Sequence, residues 1–566
     1  MPCTRFSMRL LTAGLLASTL LVSASPAYLL DRQLHLEPRQ ANDTATPTTD
    51  AAGAFPTDVG YLGTTKPGAA PFLVVNDRIP GSRGNSPVET RWNTTGPSDP
   101  SFDIFKNVGN ESPYFSTPLF ASFQEKAAVL PETCTVSQVH LLHRHGARYP
   151  TSSTTEGAPL FGATIANASK ADAFNATGPL SFLNDWQYQL GAELLVPLGA
   201  QQLFDSGVHA YYRYGRLYNA TTQPHKPVVR TTSESRMLDS ARYFSLGFWG
   251  WDAPNLINLE VVLEAGEGLA PGAFNNTLAP YDTCNNSDTI TVGDTYLRPV
   301  WDEIYLANAT KRLQPYVDGL NLTTDLVYGM QSLCAYETVT LGYSDFCLLF
   351  TQQEWEGYEY DLDLQFQGDY GMMSPTGRAQ GIGYVQELLA RLTNTTLAAG
   401  NLNVTTQNTT LDFDPARFPI DQPLYFDFTH DDVIVSVLAA LNYQQVVGDF
   451  LDPTKPDPNR TFRLSHITPF AARLFFEVVD CTGGSGSGSG SVEAGRYIRT
   501  VLNDAVVPLD DNQGCQPNDH GLCKLDDFVR YQQQNAEKAA NFDKACFGVN
   551  GTDFTITGPV RNGTVY

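Results

Sequence analysis

An α/β fold is the architecture that this 566-residue sequence predicts, and three short stretches predict it. In the first, Val136, Val139, Leu141 and Leu142 form a buried-strand pattern that runs into Arg144-His145-Gly146-Ala147-Arg148-Tyr149-Pro150. In the second, a strand over 226–230 precedes Ser235 to Phe248, where Met237, Ala241, Phe244 and Phe248 recur at helical spacing. In the third, Leu424 to Phe428 alternates as a strand and leads into a helix from Asp432 to Leu441, carrying Val433, Val435, Leu438 and Leu441. Apolar runs that alternate with helical patterns imply a parallel sheet, and such sheets bind ligands beyond the carboxyl ends of their strands.

Taken along the chain, residues 1–24 read as a secretory signal: Arg5 and Arg9, an apolar run from Leu10 to Leu21, then Val22-Ser23-Ala24. An uncleaved membrane anchor is the alternative, although the run is short for a bilayer. Residues 25–111 are rich in Thr, Pro, Gly, Ala and Asn and read as a poorly ordered, glycosylated leader, with order expected from about Ser112. Segments 161–224 and 256–345 carry helical patterns with Pro/Gly breaks and read as an inserted helical cap. The α/β domain then takes 112–160, 225–255 and 346–548. Gly483 to Ser491 is almost pure Gly-Ser, an exposed loop, and 549–566 is a tail.

The formal net charge is −24, with a sequence pI near 4.7, which excludes a general nucleic-acid binder because those present basic surfaces. The same charge would repel an anionic substrate at neutral pH, so an acidic working environment is expected. Of nine cysteines, Cys3 would leave with the signal. The remaining Cys134, Cys284, Cys334, Cys347, Cys481, Cys515, Cys523 and Cys546 form an even set that implies disulfides of open connectivity. About sixteen Asn-x-Ser/Thr sequons, among them Asn42, Asn167, Asn275, Asn394 and Asn562, point equally to export, into the medium or onto a cell wall.

The chemistry gathers in the first and third stretches. Arg144 and Arg148 flank His145 with two cations that cannot shed their charge, and guanidinium forks match phosphate oxygens. An imidazole between such forks can attack phosphorus, because the arginines offset the charge that would repel it. The structural alternative is a strand-end turn whose arginines pair with carboxylates. His430-Asp431 lies between a strand and a helix, where backbone amides favour an anion and Asp431 could protonate a leaving alkoxide. Equally, Asp431 or Asp432 could merely cap that helix. Arg236 stands at a helix start, opposing the helix dipole, which implies a compensating anion. Pairing with Glu234 or Asp239 is its structural alternative, and Arg230 reads as structural. A metal on His145, His430, Asp431 and Asp432 is disfavoured by the flanking arginines and by the lack of HExxH spacing. No GxSxG occurs to supply a serine nucleophile.

Together these stretches resemble the histidine acid phosphatases, specifically the secreted fungal phytase branch. RHGARYP at 144–150 matches that family's RHGxRxP signature and His430-Asp431 its HD pair. QEWEGYEY at 353–360, AQGIGYVQELLARL at 379–392 and VLNDAVVPL at 501–509 extend the likeness from about Ser112 to Gly548. The resemblance implies a phosphoglycerate-mutase-like large domain with a smaller helical domain over the site. It implies that His145 is the nucleophile, that Arg144, Arg148, Arg236 and His430 hold the phosphate, and that Asp431 is the proton donor. It also implies the pairs Cys134–Cys481, Cys284–Cys546, Cys334–Cys347 and Cys515–Cys523. The expected protein is a monomer without cofactor or metal, acting on a small phosphate ester such as phytate or a sugar or aryl phosphate.

The departures concern substrate. Phytate-selective relatives carry lysines just after RHG and a lysine pair ten residues beyond the EW dipeptide; here Thr151 to Glu156, and Gln365-Phe366, stand there. A broad acid phosphatase with little phytate selectivity is therefore one alternative. A mutase relative is another, opposed by the signs of export. A catalytically silent glycoprotein or binding module is the alternative of a different class.

Overall fold

The computed structural model describes residues 102–548 and 562–565, apart from 171–173, 224, 265–274, 398–404, 484–491 and 540. The expected signal, almost all of the leader, the Gly-Ser loop and most of the tail lie outside the described residues.

Eight strands form one mixed sheet: β1 (Cys134–Arg144), β2 (Val228–Thr232), β3 (Asn258–Val262), β4 (Leu424–Thr429), β5 (Arg473–Cys481), β6 (Gly495–Leu502), β7 (Ala505–Val506) and β8 (Cys523–Lys524). Their order across the sheet is β8-β6-β5-β1-β4-β2-β3, with β7 on β6. β1, β4, β2 and β3 are mutually parallel, whereas β5, β6 and β8 continue antiparallel from β1. Both faces are covered, which is why the parallel strands read as near-continuous apolar runs rather than alternating ones. Successive side chains of a strand point to opposite faces. Accordingly Val139 and Leu141 of β1, with Phe475 of β5, pack under Phe244, Phe248 and Leu203. Leu142, Phe476 and Val478 pack on the other side with Val433, Leu438, Leu388 and Phe528.

The first face belongs to α2 (Pro197–Tyr214) and α3 (Ser235–Trp249), the second to α7 (Gly377–Thr393), α8 (Asp431–Ala440) and α9 (Leu525–Ala539). Beside this second layer stand α1 (Gly157–Lys170), α4 (Arg298–Tyr305), α5 (Thr324–Leu341) and α6 (Gln352–Asp369). A capping box opens α6: Thr351 accepts from the Glu354 amide while the Glu354 side chain accepts from the Thr351 amide.

Three expected boundaries move. Residues 104–106 and 109–111 form 3₁₀ turns that bury Ile104, Phe105, Val108 and Glu111, so packed structure begins before Ser112. The apolar residues there are too few and too scattered to show a periodicity. Both α2 and β3, expected in the cap, belong to the sheet and its covering layer, because a helix pattern does not say which layer the helix covers. The cap helices also share one continuous core with α7 and α8. At the tail, Asn562 and Gly563 carbonyls accept from the Nε and amide of Arg378, and Val565 accepts from Asn541 Nδ2.

Four disulfides join Cys134 to Cys481, Cys284 to Cys546, Cys334 to Cys347 and Cys515 to Cys523, the pairs named above. Cys134 and Cys481 stand directly opposite one another on β1 and β5. Among the described residues no helix is long and apolar enough to cross a membrane.

Candidate active site

The parallel strands end along one edge, in register: Arg144 stands beside Thr429, and Thr232 beside Val262. Each strand end therefore delivers its next residues to one place: His145 after β1, Glu234 and Arg236 after β2, Glu264 after β3, and His430 with Asp431 after β4. A cleft of about 380 Å³ opens there, lined by His145, Arg148, Arg236, His430 and Asp431 among others.

His145 is buried, and its Nδ1 lies 2.8 Å from the Gly146 carbonyl oxygen. A carbonyl only accepts, so Nδ1 carries the proton and Nε2 keeps its lone pair. Burial, then Arg144, Arg236, Arg148 and His430, hold this imidazole well below the usual histidine range, so it stays neutral in acid. The His430 ring lies 5.8 Å away, centroid to centroid. The glycine of the motif has a steric cause. A Cβ on Gly146 would lie 2.4 Å from the Gly199 carbonyl oxygen, and one on Gly199 would lie 2.1 Å from that of Ala147. The loop that carries His145 thus seats directly on the first turn of α2.

The arginines divide by position. Arg148 lines the cleft and commits Nη1 to the Tyr149 carbonyl at 2.8 Å. Arg236 lines it too, with Glu193 Oε2 at 3.0 Å and Glu234 Oε2 at 2.5 Å. Arg144 instead lies behind the cleft. Its Nη1 donates to the Asn110 and Thr468 carbonyls, its guanidinium stacks on Phe470 and its Nη2 pairs with Asp431 at 2.7 Å. It therefore sets charge and position from below rather than presenting a free fork. Arg230 lies in a separate buried network with Asp427, Glu387 and Arg391.

His430 Nε2 faces Glu264 at 3.6 Å and Glu234 at 3.9 Å. Burial lowers its basicity, but the Glu264 contact outweighs this and raises it above the usual histidine value. Asp431 Oδ2 accepts from Asn110 Nδ2 at 2.7 Å. Burial would raise this carboxyl; Arg144, Asn110 and Arg148 together hold it below the usual range. Next to it, burial pushes Asp432 up to about 7, with His430 opposing and Asp431 adding to the rise. The Asp432 carboxylate also accepts from the neighbouring Val433 amide, while His430 is the N-cap residue and no side chain caps this helix start. Glu234, Glu264 and His430 bring potential metal-ligand atoms within 4.8 Å of one another, with Arg236 already neutralising Glu234.

Sequence reasoning missed Asn110, Glu193 and Glu264. Asn110 was hidden in the expected leader, and Glu193 precedes α2 on a loop, held with φ of 64°. Glu264 carried one usable signal, an acid placed just after the apolar strand run Val261-Val262-Leu263.

Two histidines and the arginines that serve them, gathered at the carboxyl ends of adjacent parallel strands, are the plan of a histidine phosphatase. The chain belongs to branch 2 of the histidine phosphatase superfamily, whose family profile matches residues 135–503. It is 33% identical to Phytase A of Aspergillus oryzae over 481 residues, which cover 81% of this chain and 95% of that protein. It is 29% identical to an acid phosphatase of Schizosaccharomyces pombe, over 79% of this chain and 92% of the relative. In fold it is similar to the phytase from D. castellii, with a TM-score of 0.61, 24% identity and coverage of 80% and 90%.

Proposed function

We propose that this chain is a secreted acid phosphomonoesterase of the histidine acid phosphatase and phytase type, working through a phosphohistidine. One observation carries the mechanism: His145, its Nδ1 turned to the Gly146 carbonyl oxygen at 2.8 Å, lines a cleft it shares with Arg148, Arg236, His430 and Asp431. The Nε2 lone pair attacks phosphorus while the ester oxygen departs in line, taking a proton from Asp431. Water then attacks the phosphohistidine, Asp431 takes back a proton, and phosphate leaves. Arg148, Arg236 and the His430 imidazolium offset the charge on the transferring group, which is the larger part of phosphoryl-transfer catalysis. Asp431 is ionised while the site is empty; a phosphate dianion drawn against Arg148 adds a like charge beside it and raises its affinity for a proton. Acid completes that step.

Substrate breadth follows from the walls. Thr151 and Glu156, from the region after RHG where phytate-selective relatives carry lysines, and Gln365 and Phe366, at the place of their lysine pair, line the cleft, and among the described residues no lysine lines it. A ligand with many phosphates wants several cations. Hydrolysis of phytate together with other phosphate monoesters, at comparable rates, is therefore the preferred reading over strict phytate selectivity. The test is hydrolysis of phytate and of an aryl phosphate without added metal, combined with an alkaline quench of labelled aryl phosphate. Label should remain on the parent, since phosphohistidine survives base, and be absent from His145→Ala. Hydrolysis that survives in His145→Ala would remove the proposal.

A further inference from the structure

Arg236 and His430, assigned to the substrate phosphate, already face carboxylates. Glu234 Oε2 lies 2.5 Å from Arg236 Nη2 and 3.9 Å from His430 Nε2, and this oxygen is closed off from solvent, held by the two charges rather than by a well-aligned hydrogen bond. It sits where an oxygen of a bound phosphate would meet the same two groups. Glu193 takes the other terminal nitrogen of Arg236 at 3.0 Å. Resting on the assignment of Arg236 and His430 to the substrate phosphate, we infer that Glu234 is a built-in carboxylate competitor of the substrate, displaced when phosphate binds, so that it sets the pH range over which the enzyme accepts its ligand.

The surroundings make this carboxylate easy to discharge. Facing it are Arg236 on α3, His430 at the start of α8, Glu264 after β3, Glu193 before α2, Tyr281, and Arg148 on the nucleophile loop. Burial raises Glu234 above its ordinary value; His430 and Arg236 oppose this, while Glu264 and Glu193 add to it. In acid the side chain becomes neutral, loosens its hold on Arg236 and yields to phosphate. Near neutrality it is ionised, and phosphate must eject a bound anion from two cations. Affinity for phosphate then weakens by on the order of tenfold per pH unit above the titration of Glu234, the slope of one linked proton. Because the competitor acts on the empty site, it raises KM and leaves kcat alone.

The experiment measures inorganic phosphate, by calorimetry and as a competitive inhibitor of aryl phosphate hydrolysis, between pH 4 and 7.5. Parent, Glu234→Gln, Glu234→Ser and Glu234→Asp are compared, and the ionisation of phosphate itself is common to all four. The Gln and Ser variants should bind phosphate about as well as the parent at pH 4 and on the order of tenfold or more tightly near pH 7. The Asp variant, which keeps the charge, should retain the parent's pH slope. Equal affinities of parent, Gln and Ser at every pH would overturn the inference, as would a fall in kcat without a change in KM. A parent that neither binds phosphate nor hydrolyses the ester would overturn the active-site assignment along with it.

Discussion

Asp431 Oδ2 lies 2.7 Å from Arg144 Nη2 and the same distance from Asn110 Nδ2, so the carboxyl proposed to release the leaving group is fixed by two partners. Replacing it by Asn keeps the shape and removes the acid. Asp431→Asn should slow hydrolysis of poor leaving groups by about 10²–10⁴-fold and of activated aryl esters far less. Steady-state rates across esters of graded leaving-group acidity measure this; equal losses for all would remove the proton-donor role.

The same contact constrains a modification. Asn110 begins an Asn-Glu-Ser sequon, yet its Nδ2, the atom a glycan would occupy, donates to Asp431. Active protein should therefore carry no glycan at Asn110, whatever the occupancy of exposed sequons. Peptide mapping after enzymatic deglycosylation in heavy water checks this, and Asn110→Ala should lose activity through a misplaced Asp431 while leaving the glycan count unchanged.

Glu264 should act through His430. It raises the histidine's affinity for a proton, so the imidazolium persists to higher pH and the alkaline limb of kcat/KM lies higher than an isolated histidine would place it. Glu264→Gln removes the charge and should move that limb down by about one pH unit or more. Unmoved limbs in the pH profile of the variant would count against the pairing.

Stability should favour acid as well. Burial pushes Glu111 and Asp363 up to about 7, Asp412 to about 8 and Asp302 to about 9, with Asp432 again about 7. Such groups keep protons that the unfolded chain has released, so their contribution is present near pH 4–5 and is lost as pH rises toward their folded values. Asp427 and Glu477 work oppositely: arginine partners hold them low, and their contribution is lost only as pH falls below the ordinary carboxylate range. The melting temperature should therefore be several degrees higher at pH 5 than at pH 8, as calorimetry can measure.

The strand-to-helix units around 136–148, 226–248 and 424–441 were legible because burial on both faces writes long apolar runs, and the charged residues that break them mark the functional edge. What the strands deliver singly was harder. Glu264 and Glu193 are ordinary acids in loops, and only the register of β3 beside β2, or the turn before α2, gives them a partner. Asn110 was illegible for a different reason: a few residues clamped by contacts more than 300 positions away leave no periodic trace of their own. Arg144 shows the converse. Its place in the motif suggested a phosphate fork, whereas the fold spends it on Asp431 and two carbonyls.

The pairing of β1 carries a consequence for biogenesis. Its two neighbours, at 424–429 and 473–481, are made long after it, with α1 to α7 emerging in between. The sheet's centre thus closes late and by long-range contacts, a topology that folds slowly and leaves strand edges open to misassociation meanwhile. With four disulfides to close as well, heterologous yield should depend more on chaperones and thiol oxidation in the host than on transcription.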